Sequence, residues 1–284
     1  MSWNIAGKTV VVTGSTRGLG LGAALVLARL GARLVLVGRD QGRTAAAVDA
    51  VARAADAGPQ PSSYLCDFSS QADIRRLAAD IERDHPHIDV LVNNAGGVHS
   101  RRQLTVDGIE RTFATNHLGY FLLTNLLRPL IVRSAPARIV TVASIGHRRG
   151  TLDFDDLGFE RGYTVMKAYR RSKLANVLFA NELARQLAGT GVSSTSVHPG
   201  GVATNIWSGA PLWARPLVAV FVQPRLISVE AGAATIVRLV TSPELDGVTG
   251  QYFEEHQAVA PSALATDEGL ARRLWDVSAA LTSL

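Results

Sequence analysis

Short runs of β-branched and aliphatic residues recur along the chain, separated by longer segments whose apolar positions return every three or four residues. The runs KTVVVT (8–13), ARLVLVG (32–38), SSYLC (62–66), IDVLVN (88–93), ARIVTVAS (137–144), VSSTSVH (192–198) and GQYF (250–253) read as strands. Helical periodicity fills the intervals at about 18–30, 40–57, 70–84, 107–133, 166–188 and 228–241. Most of the strand runs are apolar throughout instead of alternating, the pattern of strands covered by helices on both faces. Regular alternation of strand and helix predicts an α/β protein with a parallel, doubly wound sheet.

Right-handed crossovers then favour the Rossmann type, a three-layer α/β/α arrangement. No linker or internal repeat divides residues 1–284, so a single domain is expected. Two segments break the alternation: the charged stretch 146–165, and 199–227 with Trp207, Trp213 and Phe221. Both follow strands at their carboxyl ends, the edge where open α/β sheets bind ligands.

Composition narrows the picture. Hydrophobic residues make up 47% of the 284 and charged residues 19%, enough for a large core. A net charge of +5, without any block of like charges, argues against nucleic acid and suits an anionic ligand. The lone Cys66 allows no internal disulfide, and no Cys/His spacing fits a metal. With no leader pattern at the start and no apolar run of about 18 residues, no integral membrane segment is expected and the setting is cytoplasmic.

Between the first strand and first helix lies TGSTRGLG (13–20), with Gly14, Gly18 and Gly20. Glycines there permit a tight turn and let backbone N–H groups approach a pyrophosphate at the positive end of a helix. Ser15, Thr16, Arg17 and Leu19 complete that turn. At the end of the second strand an NAD-binding chain usually offers an acid to the ribose 2′-hydroxyl. Here Arg39 stands in its place, and with Arg17 it would suit a 2′-phosphate, so NADP is favoured over NAD. Asp40 is read as a helix N-terminal residue. Asp67, followed by Phe68, either accepts from an adenine amino group or helps to cap the helix starting near Ser69. Asn94, Ala95 and Gly96, within NNAGG (93–97), fit the floor of a cofactor cleft.

Tyr169 and Lys173 sit four residues apart in a helical pattern, hence on one face. Together, TGSTRGLG, CDFSS (66–70), NNAG (93–96), TNHLG (115–119), VASIGH (142–147), YRRSK (169–173) and HPGGVAT (198–204) make the chain resemble the short-chain dehydrogenase/reductase family from Gly7 onward. TNHLGYFLLTNLL, LDFDDL and the tail ARRLWDVSA look most like its retinol-dehydrogenase-like branch. Many members of that branch carry a membrane anchor ahead of the nucleotide-binding unit, and none is expected here. The resemblance implies catalytic roles for Asn116, Ser144, Tyr169 and Lys173, and cofactor contacts from Pro199, Gly200, Val202 and Thr204. A second YxxxK pair, Tyr163 and Lys167, lacks the serine that precedes the lysine in the family pattern. His147 and His198 are read as structural or substrate-side, and Arg170 and Arg171 as solvated.

The implied activity is an NADP(H)-dependent interconversion of a carbonyl and an alcohol on a small apolar molecule, by a monomer or homodimer. Reduction of a carbon–carbon double bond, isomerisation or cyclisation with the same cofactor, and a non-catalytic NADP-binding role are the alternatives. Tyr169 would supply the proton, and Lys173 would lower its pKa. Moving a phenol from about 10 to about 7 needs roughly 4 kcal/mol. An ammonium about 4 Å away at an effective dielectric near 20 provides about that much.

Overall fold

The computed structural model describes residues 3–200 and 228–284. Seven strands run parallel: β1 (Thr9–Thr13), β2 (Arg33–Gly38), β3 (Ser62–Leu65), β4 (Val90–Asn93), β5 (Ala137–Val142), β6 (Val192–His198) and β7 (Tyr252–Glu254). A two-residue β8 (Gln257–Ala258), not anticipated from the sequence, closes the edge antiparallel to β7. The sheet order is β3-β2-β1-β4-β5-β6-β7-β8, so the chain reverses direction across the sheet between β1 and β4. That reversal opens a crevice at the carboxyl edge beside the loops after β1 and β4.

Alternate residues of each strand feed opposite cores. Val10, Val12, Leu34 and Leu36 face α1 (Gly18–Arg29), α2 (Gln41–Ala55) and α6 (Val229–Thr241). Val11, Val35, Val37 and Leu91 face the other layer, which holds α3 (Gln71–Asp84), α4 (residues 111–133) and α5 (Val165–Gln186). Helix α4 is irregular. It starts with one turn, Arg111–Phe113, widens into a π-helical turn at Ala114–Leu118, and continues as Gly119–Arg133. Periodicity placed its start near 107. The buried Glu110 sets it at Arg111 instead, because its carboxylate accepts the N–H groups of Thr112 and Phe113, both at 2.8 Å.

A further helix, α7 (Glu268–Thr282), lies across the outer side of α4 and α5. Trp275 stacks on Phe179 with centroids 5.8 Å apart and meets Phe121 edge-on at 4.8 Å. This helix lies beyond the segments whose periodicity predicts helix; Asp267 caps it, and Ala271, Leu274 and Ser278 repeat along its buried face.

Candidate active site

The first half of the site is backbone. The glycine turn bends at Gly14 and Gly18, whose φ angles are +66° and +56°, in the left-handed region that glycine enters without penalty. Gly20 permits close approach: a Cβ there would lie 2.4 Å from the Gly14 carbonyl oxygen and 2.6 Å from Asn94 Nδ2. Asn94 ties the β1 and β4 loops together. Its Nδ2 donates to the carbonyls of Thr13 (2.8 Å) and Gly14 (3.1 Å), while Thr13 Oγ1 accepts the N–H groups of Asn94 and Ala95. Thr13 was not singled out beforehand, and its buried hydroxyl is the hub of this junction. Ser15 is directed inward, with N–H and Oγ both donating to the Val37 carbonyl. The Phe68 ring packs against Gly119 within the core.

Arg17 and Arg39 are exposed at the rim of this turn. Asp40 caps α2 by accepting the Arg43 N–H at 2.9 Å, as its position predicts. Asp67 accepts the N–H and hydroxyl of Ser69 (2.9 and 2.7 Å) and faces Arg39 at 4.0 Å; Ser70 is the residue that caps α3. Partial burial opposes ionisation of Asp67, but the Ser69 hydrogen bonds and Arg39 outweigh it and hold the carboxyl below its usual range.

The second half is side chains. Tyr169 and Lys173 lie inside α5, with Lys173 Nζ 5.7 Å from the phenol ring centroid. Ser144, two residues past β5, accepts the Gly146 N–H at 3.1 Å, and it shares Gly146 as a neighbour with Tyr169: a Cβ on that glycine would lie 3.4 Å from Ser144 Oγ and 3.5 Å from Tyr169 Cε1. Asn116 occupies the π-helical turn. Its amide exchanges two bonds of 2.9 Å with the Gly97 backbone and donates to Ser172 Oγ at 3.1 Å. The four candidate catalytic side chains therefore share one corner of the carboxyl edge. Their helical placement also separates the two YxxxK pairs, because Tyr163 precedes the Thr164 cap of α5 and gives its hydroxyl to the His99 carbonyl at 2.8 Å.

Electrostatics depart from the sequence expectation. Burial raises the Tyr169 phenol above its usual range, opposed only by the Ser144 hydrogen bond. Lys173 is 5% exposed, donates to the Val142 carbonyl at 2.9 Å, and is lowered to about 7 by burial. A lysine half neutral near pH 7 does not pull the phenol down in this state; the desolvation of both groups wins.

Arg171 was expected in solvent and is instead 4% exposed. Its guanidinium donates to the carbonyls of Thr151, Asp156 and Leu157 and lies 3.5 Å over the Phe159 ring. The 146–165 segment folds over that face of α5 and makes the site for it. His147 is structural: Nδ1 donates to the Ser144 carbonyl (2.8 Å) and Nε2 accepts the Ser262 N–H (3.1 Å). Burial lowers His198, at the end of β6, to about 4. Pro199 is buried and Gly200 adopts φ +93°. Val202 and Thr204 lie outside the described residues, as do Trp207, Trp213 and the rest of the 201–227 segment. Among the described residues no group of His, Cys, Asp or Glu could hold a metal, and no helix is long and apolar enough to cross a membrane.

A doubly wound sheet with a glycine turn at its switch point, and a Ser, Tyr and Lys cluster beside it, defines a nucleotide-dependent oxidoreductase class. The chain matches the sequence profile of the short chain dehydrogenase family over residues 8–214, and it belongs to that family, in its retinol-dehydrogenase-like branch. It is 40% identical to retinol dehydrogenase 14 of Homo sapiens, covering 98% of this chain and 87% of the relative. Its fold matches the crystal structure of an uncharacterized protein from Mycobacterium Paratuberculosis with a TM-score of 0.80, 32% identity, and 99% and 96% of the two chains covered. The Pseudomonas aeruginosa RhlG/NADP active-site complex is similar at a TM-score of 0.70 and 26% identity, over 94% and 98% of the chains.

Proposed function

We propose that this protein is an NADP(H)-dependent oxidoreductase that interconverts a carbonyl and an alcohol on a small apolar molecule, with Tyr169 as the acid and base. The observation that carries the reading is the placing of the Ser144 and Tyr169 side chains together beside Gly146, with Lys173 Nζ 5.7 Å from the phenol ring, near an uncapped glycine turn. The turn fits a dinucleotide: α1 has neither a side-chain cap nor an acid in its first turn, so its N–H groups remain available for phosphate. Arg17 and Arg39 supply the cationic rim that a 2′-phosphate needs. The likeness to an NADP complex and to a retinol dehydrogenase supports the same reading.

Bound nicotinamide supplies the hydride. The protein's own part is to hold a substrate oxygen between Ser144 Oγ and the Tyr169 hydroxyl, and to move one proton between Tyr169 and that oxygen. Asn116 fixes the floor of this corner by locking the Gly97 backbone to Ser172. The outer faces of α4 and α5 are occupied by α7, so they do not have to pair with a second copy.

The test is a turnover screen of apolar aldehydes, ketones and alcohols, with NADPH and NADH run side by side. Wild-type protein should oxidise NADPH with at least one carbonyl, and Tyr169→Phe should lose about 10²- to 10⁴-fold in kcat. Equal rates from the phenylalanine variant, or a panel with no turnover at all, would sink the reading.

A further inference from the structure

Ser144 stands where the chain leaves the sheet. The Ala143 N–H still donates to the Val197 carbonyl of β6 at 2.8 Å, and a 3₁₀ turn, Ile145–Arg149, begins directly after Ser144. Beyond the strand ladder His147 holds the Ser144 peptide. The Ser144 carbonyl accepts the His147 backbone N–H at 3.0 Å and the Nδ1 proton of the same residue at 2.8 Å. Ser144 Oγ in turn accepts the Gly146 N–H, which leaves the hydroxyl proton available to an outside acceptor.

The imidazole is itself held from its far side. His147 is fully buried, and its Nε2 accepts the Ser262 N–H at 3.1 Å, from the segment that follows β8. Its ring meets Tyr252 of β7 edge-on, with centroids 4.6 Å apart. Beside it, Arg148 donates to Glu254 at 2.8 and 3.1 Å and to the Ala260 carbonyl at 3.0 Å. A carbonyl can only accept and a backbone N–H can only donate. The two partners therefore admit one form of the ring, neutral with its proton on Nδ1. Burial lowers the His147 pKa against the pull of the Ser144 hydrogen bond, so this form persists at neutral pH. The far end of the turn reaches α5: a Cβ on Gly150 would lie 2.6 Å from the carbonyl oxygen of Arg170, the residue after Tyr169.

We propose that His147 is a positioning residue: clamped by Ser262, it fixes the Ser144 peptide and thereby where the Ser144 hydroxyl stands beside Tyr169. The proposal rests on the reading of Ser144 and Tyr169 as the pair that holds the substrate oxygen. It gives β7, β8 and the segment after them a part in that geometry through one imidazole.

The bond from Nδ1 to the Ser144 carbonyl can be removed at nearly constant shape. Asparagine sets Nδ2 where histidine has Nδ1, and leucine has the same branching with no donor. Both lose the Ser262 partner, and the backbone N–H of residue 147 remains in each. The assay uses full-length protein, NADPH and a carbonyl that the wild type reduces, read as single turnovers so that slow variants are still measured. His147→Asn should keep its rate within about threefold of wild type. His147→Leu should lose about tenfold or more with NADPH affinity unchanged, since a displacement of about 1 Å can cost about 10²-fold. In a Ser144→Ala background the two should have equal rates, because no hydroxyl is left to place. NMR of protein labelled with ¹⁵N-histidine gives a readout without turnover. Of the seven histidines, the one whose signals vanish in His147→Asn should carry its proton on Nδ1.

Equal rates for the asparagine and leucine variants, or a difference between them that survives in Ser144→Ala, would overturn the proposal. So would a proton found on Nε2. If His147→Leu does not fold, His147→Gln takes its place. Its side-chain oxygen can still accept from Ser262, while the Ser144 carbonyl keeps the backbone N–H alone, so a wild-type rate there rejects the positioning role. Tyr169→Phe keeps the two levels apart. If that variant is as active as wild type, the enzymatic reading falls and the proposal with it. If it is inactive while the asparagine and leucine variants match, only the role of His147 falls.

Discussion

Helices α1 and α5 both begin at the carboxyl edge of the sheet, and their first turns are built in opposite ways. Helix α5 is capped by Thr164, whose Oγ1 accepts the Lys167 N–H at 3.2 Å, and it buries Arg171, Ser172, Lys173 and Asn176 within its first twelve residues. Helix α1 carries no side-chain cap, no acid and no buried polar side chain, and from Gly18 to Ala28 it holds only glycine and apolar residues. Side chains also cap α2, α3, α4, α6 and α7, through Asp40, Ser70, Glu110, Ser228 and Asp267. A cap is typically worth about 1 kcal/mol, so its omission at one helix out of seven described is a cost in stability that needs a purpose. Where the backbone is the binding surface, side chains are removed from it. Where side chains do the chemistry, the fold surrounds them with carbonyls that hold each donor.

The comparison can be broken most severely at Gly20. In Gly20→Ala the new methyl would stand 2.4 Å from a backbone oxygen, which cannot swing aside as a side-chain tip could. Opening the turn should weaken NADPH binding by about a hundredfold or more and lower Tm, read by fluorescence titration and thermal melting. Unchanged affinity would mean that the turn is not the nucleotide's seat. At the rim the effect should be smaller and selective. Arg39→Ala should raise the KM for NADPH about tenfold while leaving NADH unaffected, since only a 2′-phosphate needs the guanidinium. Its ion pair with Asp67 is 4.0 Å long and solvent-exposed, so Tm should not move. Equal losses with both cofactors would remove the argument for NADP.

The sheet, its crevice and the Tyr169–Lys173 pair were legible because they are written in local pattern, whereas Asn116 and Ser144 entered only through the family resemblance. Apolar strands, a glycine turn and an i, i+4 pair each carry their physics within a few residues. Three features were not legible, and each depends on a distant partner. Arg171 is buried because residues 151–159 fold back and present carbonyls to it, which no helical period announces. The π-helical turn of α4 holds Asn116 through the Gly97 backbone, nineteen residues away. Helix α7 has a readable cap and apolar repeat, but its register against Trp275, Phe121 and Phe179 emerges only in the packed layer. The direction of the Tyr169 shift was misjudged for a related reason: a Coulomb estimate between two groups omits the desolvation that each suffers.

That omission leads to the smallest effect and the sharpest sign. Lys173 is lowered from 10.5 to about 7 by burial, so between pH 7 and 10.5 the unfolded chain binds a proton that the folded protein does not. Stability must therefore rise with pH across that window, and the penalty is full below pH 7. Replacing the lysine with an apolar side chain of similar length removes the penalty. The Val142 carbonyl keeps Asn176 Nδ2 as a donor, so no acceptor is orphaned. Lys173→Met should melt about 5 °C above wild type at pH 6.5, with the gap closing as pH approaches 10, while its turnover is lost. A gap of the same size at every pH would mean that packing, not a buried ammonium, separates the two proteins. A lower Tm at pH 6.5 would show that α5 depends on this cation for its own stability, and the contrast with α1 would lose its basis.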